Sequence, residues 1–284
     1  MSHNVKIVTD STLDLPKNEI EQLGITVVPL AVTIKGESYL DGIDITSEEF
    51  SRHLVESDDI PQSSQPSVGY FAEVYDELGE DGSNVLSIHM SSGISGTYAS
   101  AVQATDMTET EVTVVDSGFV SVALGFQVKE AAKMAAEGES VAAIIERLNT
   151  VRKNTSLYIM VDTLDYLIKG GRIGRGRAFI GSLLKIKPIA SLEDGVYTPT
   201  TKVRTHMQMI KFMKNKFQKE AAGRAAKGIG IAQVEAKELA NQLKEAIHGV
   251  SAFDDIFIIE TTPIVSTHTG PGALALMYYF EENE

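Results

Sequence analysis

"NVLSIHMSSGISGTYASAVQATDMTETEVTVVDS", residues 84–117, contains the fold in miniature. The apolar run NVLSIHM reads as a strand, GTYASAVQATD as a helix and EVTVVDS as a second strand. A strand–helix–strand succession implies a right-handed crossover and a parallel pair. Strands as continuously apolar as VTVV suit a sheet covered on both faces. The loop after the first strand offers more than a helix start needs. One side-chain oxygen caps a helix, yet Ser91, Ser92, Ser95 and Thr97 stand here among Gly93 and Gly96. So small and donor-rich a loop suits a backbone brought close to something bearing oxygens. The helix start that follows, with its free N–H groups, suits an anion. The spacing matches neither GxxxxGK[ST] nor GxGxxG.

The same alternation extends outward. VKIVTD (5–10) reads as a strand, STLDLPKNEIEQLG as a helix, and ITVVPLAVTIKG as extended chain. TSEEFSRHLVES, VGYFAEVYDELGEDG and FVSVALGFQVKEAAKMAAEG read as helices. After SVAAIIERLNTVRKN the character changes. TSLYIMVD is a strand, TLDYLIKGG and AFIGSLLK are short helices, and Asp194-Gly195 is a dipeptide suited to a tight hairpin. A basic helix over 205–222, a strand, a helix to His248 and a last apolar segment follow. The expectation is an α/β protein of two domains. The first, 1–155, has a mainly parallel sheet with helices on both faces, and the second, 156–284, is a smaller α+β domain.

Composition narrows the function. The 284 residues are ample for two domains with a large buried core. There is no cysteine, which excludes disulfides, thiolate metal sites and cysteine nucleophiles. No apolar stretch approaches the ~18 residues of a membrane span, and the first residues do not resemble a secretion signal. A cytoplasmic protein without stable membrane insertion is expected. A net charge of -14 argues against a nucleic-acid binder. One stretch runs against that charge: Lys169, Arg172, Arg175, Arg177, Lys185 and Lys187 come without an acid and are broken by glycines.

Ligands of open α/β sheets sit beyond the carboxyl ends of the strands. That rule makes Asp10, Ser11, Ser91, Ser92, Ser95, Asp116 and Ser117 candidates for one crevice. Ser11 with Asp14 reads more simply as a capping box, and Asp116, Ser117 and Ser67 as helix caps. Ser63 and Ser64, in the loop QSSQPS, have no such role. His268 lies in the turn STHTGPGA between two threonines.

Taken together, TDSTLDL (9–15), SSQPS (63–67), SSGISGTY (91–98), VVDS (114–117), LDYLIKGGRIG (164–174), IKPI (186–189) and HTGPG (268–272) resemble the bacterial DegV family of fatty-acid-binding proteins. The resemblance spans about residues 4–281. It implies a long-chain fatty acid, such as palmitate, stearate or oleate, held in a tunnel with its carboxylate on hydroxyls at the mouth. By the same resemblance Ser63, Ser95 and His268 are the head-group residues, with Ser92, Gly96 and Thr97 as a further part of that loop. Where this chain has Ser63 the family usually has threonine. Arg172, in GGRIG, looks like the family's surface residue for docking a kinase subunit. That kinase would convert the bound acid to an acyl phosphate for phospholipid synthesis. The implied protein is a binding partner rather than an enzyme, with no cofactor or metal beyond its lipid.

A serine hydrolase is the rival reading. GISGT approximates the GxSxG elbow, and Ser95, a later Asp and His268 follow the α/β-hydrolase order. Thr97 stands where the elbow needs its second glycine, which weighs against it.

Overall fold

The computed structural model describes residues 4–57, 60–179 and 186–282. Most of the expected helix AFIGSLLK lies outside them. The first half runs β1 (Val5–Asp10), α1 (Lys17–Gln22), β2 (Thr26–Val28), β3 (Ala31–Ile34), β4 (Glu37–Leu40), α2 (Ser47–Glu56), β5 (Gln62–Ser64), α3 (Val68–Gly79), β6 (Asn84–His89), α4 (Thr97–Ala104), β7 (Val112–Asp116), α5 (Ser121–Ala136) and α6 (Val141–Lys153). The second runs β8 (Thr155–Met160), α7 (Asp165–Lys169), β9 (Lys187–Glu193), β10 (Val196–Val203), α8 (His206–Ala221), β11 (Ala226–Gln233), α9 (Lys237–His248), β12 (Phe257–Glu260), α10 (Pro263–Thr269) and β13 (Leu274–Phe280).

The stretch 84–117 folds as β6, α4 and β7, inside a four-stranded parallel sheet of order β2-β1-β6-β7. Successive strand residues face opposite ways, and each set finds a helix layer. Val8 and Val85 pack with Phe71, Tyr75 and Ala101 of α3 and α4. Ile7, Leu86 and Ile88 pack with Leu124 and Val128 of α5 and Ile144 and Leu148 of α6. That is the mainly parallel sheet with helices on both faces.

The second half forms a six-stranded mixed sheet of order β10-β9-β8-β13-β11-β12. Its outer face, including Met160, Leu276 and Tyr278, is covered by α8 and α9. On the inner face Leu157, Ala275 and Met277 meet Val122 and Phe126 of α5. Helix α5 is therefore shared. A helix apolar all round belongs between layers, and every residue from Ser121 to Val128 is buried. Gly228 and Gly230 of β11 make room for it, since a Cβ there would stand 2.7 Å from Phe126 and 2.6 Å from Val122. β8 starts at Thr155, where a division was expected, but both sheets bury α5.

The hairpin at Asp194-Gly195 forms as expected. Both residues have positive φ, 52° and 72°, as a two-residue turn of primed type requires. The small antiparallel sheet β4-β3-β5 was not anticipated.

Candidate functional site

Between the parallel sheet, the six-stranded sheet and α10 lies a cavity of about 280 Å³, near the lower end of the ~300–1,000 Å³ typical of small-molecule sites. Its wall is mainly apolar. Leu30, Met90, Ile94 and Val120 come from the first half, and Leu157, Ile159, Leu192 and Met277 from the second.

Four of its polar groups are gathered. In β5 the side chains alternate, so Ser63 points inward between the exposed Gln62 and Ser64. Its Oγ lies 2.7 Å from Nε2 of His268 on α10. Arg172 donates from Nε to the carbonyl of Ile94 at 3.0 Å and from Nη1 to that of Gly170 at 2.7 Å, which sets it beside Ser95. Ser63, Ser95, Arg172 and His268 all line the cavity, next to the exposed Ser64 and Gln65 where it meets solvent. Among the described residues Arg172 has no carboxylate within ion-pair distance. Burial, and then the charge of Arg172, hold His268 down at about 4, so the ring is neutral near pH 7. Its Nδ1 is buried and among the described residues has no hydrogen-bond partner. It rests against Gly170, where a Cβ would stand 2.2 Å away.

The loop 91–97 divides by role. Only Ser95 and Ile94 of it reach the cavity wall. Ser92, Gly96 and Thr97 are not on that wall. Ser92 Oγ donates to Asp116 at 2.5 Å, Gly96 precedes α4, and Thr97, the first residue of α4, is buried with its Oγ1 2.9 Å from Ser95 Oγ. The oxygens for which the glycines make room belong to the protein itself. A Cβ at Gly93 would stand 2.7 Å from the carbonyl of Gly195, and one at Gly96 2.0 Å from Gln65 Oε1. Ser91 Oγ donates to that same Gly195 carbonyl at 2.9 Å, so the hairpin tip pins the loop.

Of the expected helix caps, Ser67 forms, accepting from the Tyr70 N–H at 3.1 Å, whereas those at the ends of β1 and β7 do not. Helix α1 starts after Pro16 without a side-chain cap. Ser11 donates instead to Asp41 at 2.9 Å, and Asp14 accepts from Ser121 and, at 2.5 Å, from Thr261. Asp116 accepts from the N–H groups of Ser92 and Gly118, and Ser117 Oγ from that of Phe119, while α5 has no side-chain cap. Asp14 and Asp41 lie under the N-terminus of α10, taking the N–H groups of Thr262 and Ile264. Burial drives both carboxyls up, Asp14 to about 6 and Asp41 to about 7.

The nucleophile, base and acid of a hydrolase do not come together at this site. His268 bonds to Ser63 rather than Ser95, and among the described residues no carboxylate orients its other nitrogen. A Ser–His–Asp chain does exist elsewhere. Ser87 Oγ is 2.7 Å from His89 Nε2, and His89 Nδ1 is 3.0 Å from Asp10. All three side chains are wholly buried, and none lines the cavity. Burial would raise the Asp10 carboxyl, but hydrogen bonds from His89, Thr12 and the Met90 N–H outweigh it and hold it low. The chain ties β1 to the head of the serine loop, a structural role that spacing in the sequence does not reveal.

The family model described as an uncharacterised DegV family protein matches residues 4–281. A DegV domain-containing protein of Staphylococcus aureus is 42% identical over 271 residues, 95% of this chain and 97% of that one. Among solved structures, a fatty-acid-binding DegV family protein from Thermus thermophilus superposes with a TM-score of 0.92 at 32% identity, covering 98% of this chain and 100% of its own. DegV of Bacillus subtilis, a fatty acid binding protein, gives 0.91 at 33% identity, with 98% and 100% covered.

Proposed function

The chain belongs to the DegV family, and from that membership we propose that it binds a long-chain fatty acid, such as palmitate, stearate or oleate, and presents it to a separate kinase. One observation carries this reading: four polar side chains, Ser63, Ser95, Arg172 and His268, line a mainly apolar cavity, with Ser63 bonded to His268 and Arg172 bonded beside Ser95. A carboxylate drawn inward by its tail needs donors, because an unpaired buried charge is very costly. Ser63 and Ser95 supply hydroxyls. The methylene of Gly170 beside Nδ1 offers no acceptor, so the ring proton belongs on Nε2, donated to Ser63. Ser63 then has its own O–H free for the carboxylate. Neutral His268 thus orients the serine and adds no ion pair that release of the lipid would have to break.

Arg172 spends two donors on backbone carbonyls and keeps the rest of its five-donor fork. It stands where phosphorylation of the carboxylate would add charge, and charge-assisted bonds to phosphate oxygens are strong. Arg172→Ala is expected to retain the fatty acid but slow acyl phosphate formation by the kinase partner; loss of the lipid itself would place Arg172 in head-group binding alone.

The test of binding is mass spectrometry on the organic extract of denatured protein. About one fatty acid per chain supports the reading. An empty extract, together with failure to take up added palmitate, stearate or oleate, overturns it.

A further inference from the structure

Tyr197, near the start of β10, lines the cavity yet takes no part in the head-group cluster. It is 3% exposed, and among the described residues its buried hydroxyl has no hydrogen-bond partner. Apart from Nδ1 of His268, the other buried polar side chains of the wall are satisfied among the described residues. Ser121 and Thr261 donate to Asp14, Thr269 donates to the carbonyl of Val265, and Gln233 pairs with Glu260 and the Ala236 N–H. Hydrophobic side chains pack around Tyr197, among them Leu164, Leu167, Ile173, Val234 and Ala273. A Cβ at Gly176 would stand 2.9 Å from the ring, so the chain at Gly176 lies close against it. Burial pushes the phenol well above its ordinary range, so it stays a donor at any physiological pH.

A phenylalanine would fill the same space without leaving a buried hydroxyl unpaired. We propose that Tyr197 reads an oxygen on the acyl tail, so that the preferred ligand is a fatty acid bearing a hydroxyl or carbonyl group along its chain. This rests on the fatty-acid reading above and specifies its substrate. A polymethylene tail packed here leaves the phenol unpaired, whereas a tail oxygen accepts its proton. A site holding an unpaired buried donor rejects the analogue that lacks the acceptor.

Ligands of one length separate the possibilities: stearate, oleate, and a set of hydroxy- and oxostearates substituted at successive positions from carbon 6 to carbon 14. At least one oxygenated acid is expected to bind ~5- to 30-fold more tightly than stearate, the gain from one otherwise unpaired buried hydrogen bond. Tyr197→Phe should abolish that preference and keep stearate binding. If stearate binds but no oxygenated acid binds more tightly, or the gain survives in Tyr197→Phe, the inference fails while the fatty-acid reading stands. If none of the acids binds, the fatty-acid reading fails instead. A measurement on the unaltered protein guards against a variant that does not fold: the infrared carbonyl stretch of the bound oxostearate. A shift to lower frequency than in hydrocarbon solvent is expected, and an unshifted band overturns the inference.

Discussion

Ser63 and Ser95 each offer one hydroxyl to the cavity, so Ser63→Ala and Ser95→Ala should each weaken fatty-acid binding by ~1–3 kcal/mol. Titration with a fluorescent fatty acid checks this, and unchanged affinity in both variants would remove the head-group assignment. Gly170→Ala probes His268 without touching it. Gly170 has φ -72°, which alanine adopts freely, but its Cβ would stand 2.2 Å from Nδ1 and must displace the ring. About 1–3 kcal/mol of overpacking is expected, expressed as weaker lipid binding in a protein that still folds. These residues were legible because short motifs carry them. Asp14, Asp41 and the Ser87–His89–Asp10 chain were not, since their partners lie up to 247 residues away and burial alone gives them meaning. Asp14 reads locally as part of a cap, because sequence spacing shows only near neighbours.

Helix α10 carries His268 and hangs by its first turn from two carboxyls, Asp14 and Asp41. Both hold their protons more tightly folded than unfolded. Folding therefore takes up protons between about pH 4 and pH 7, and their contribution to stability is lost as pH rises through about 6 and 7. The depressed pKa of His268 works the other way, its contribution being lost as pH falls from about 6.5 towards 4. Comparison with Asp41→Asn isolates the carboxyl. Its melting temperature should drop less than the wild type's between pH 5 and pH 8, by several degrees on the scale of ~2–4 °C per kcal/mol. Equal drops would show that Asp41 titrates as it would in water. Long elements were readable from apolar period, as 84–117 shows, and short ones were not. α10 looked like a turn because it has seven residues, although Pro263 at its start and Gly270 after its end mark a helix's limits. β5 has three residues and no apolar alternation, so its serines passed for a loop.

At the scale of the molecule, the layers could be anticipated but their sharing could not. The all-apolar face of α5 indicates a helix between layers, yet nothing in its spacing says that the second layer is the sheet of the other half. Gly228 and Gly230 were the signal, read only as part of a strand. The cavity likewise left no trace in the pattern, because residues lining a tunnel and residues filling a core are the same kinds. That equivalence has a mechanical consequence. Apolar hollows can stay dry, and a void of about 280 Å³ is volume that the chain gives up when it unfolds. Volume changes on unfolding run from about -20 to -100 mL/mol and scale with such voids. Emptied protein should therefore yield to hydrostatic pressure well before protein loaded with its acyl chain, as high-pressure fluorescence would record. Equal midpoints would mean that water or collapse fills the hollow. On the proposed function the lipid would be cargo and keystone at once, and a molecule that had delivered it would be the more compressible one.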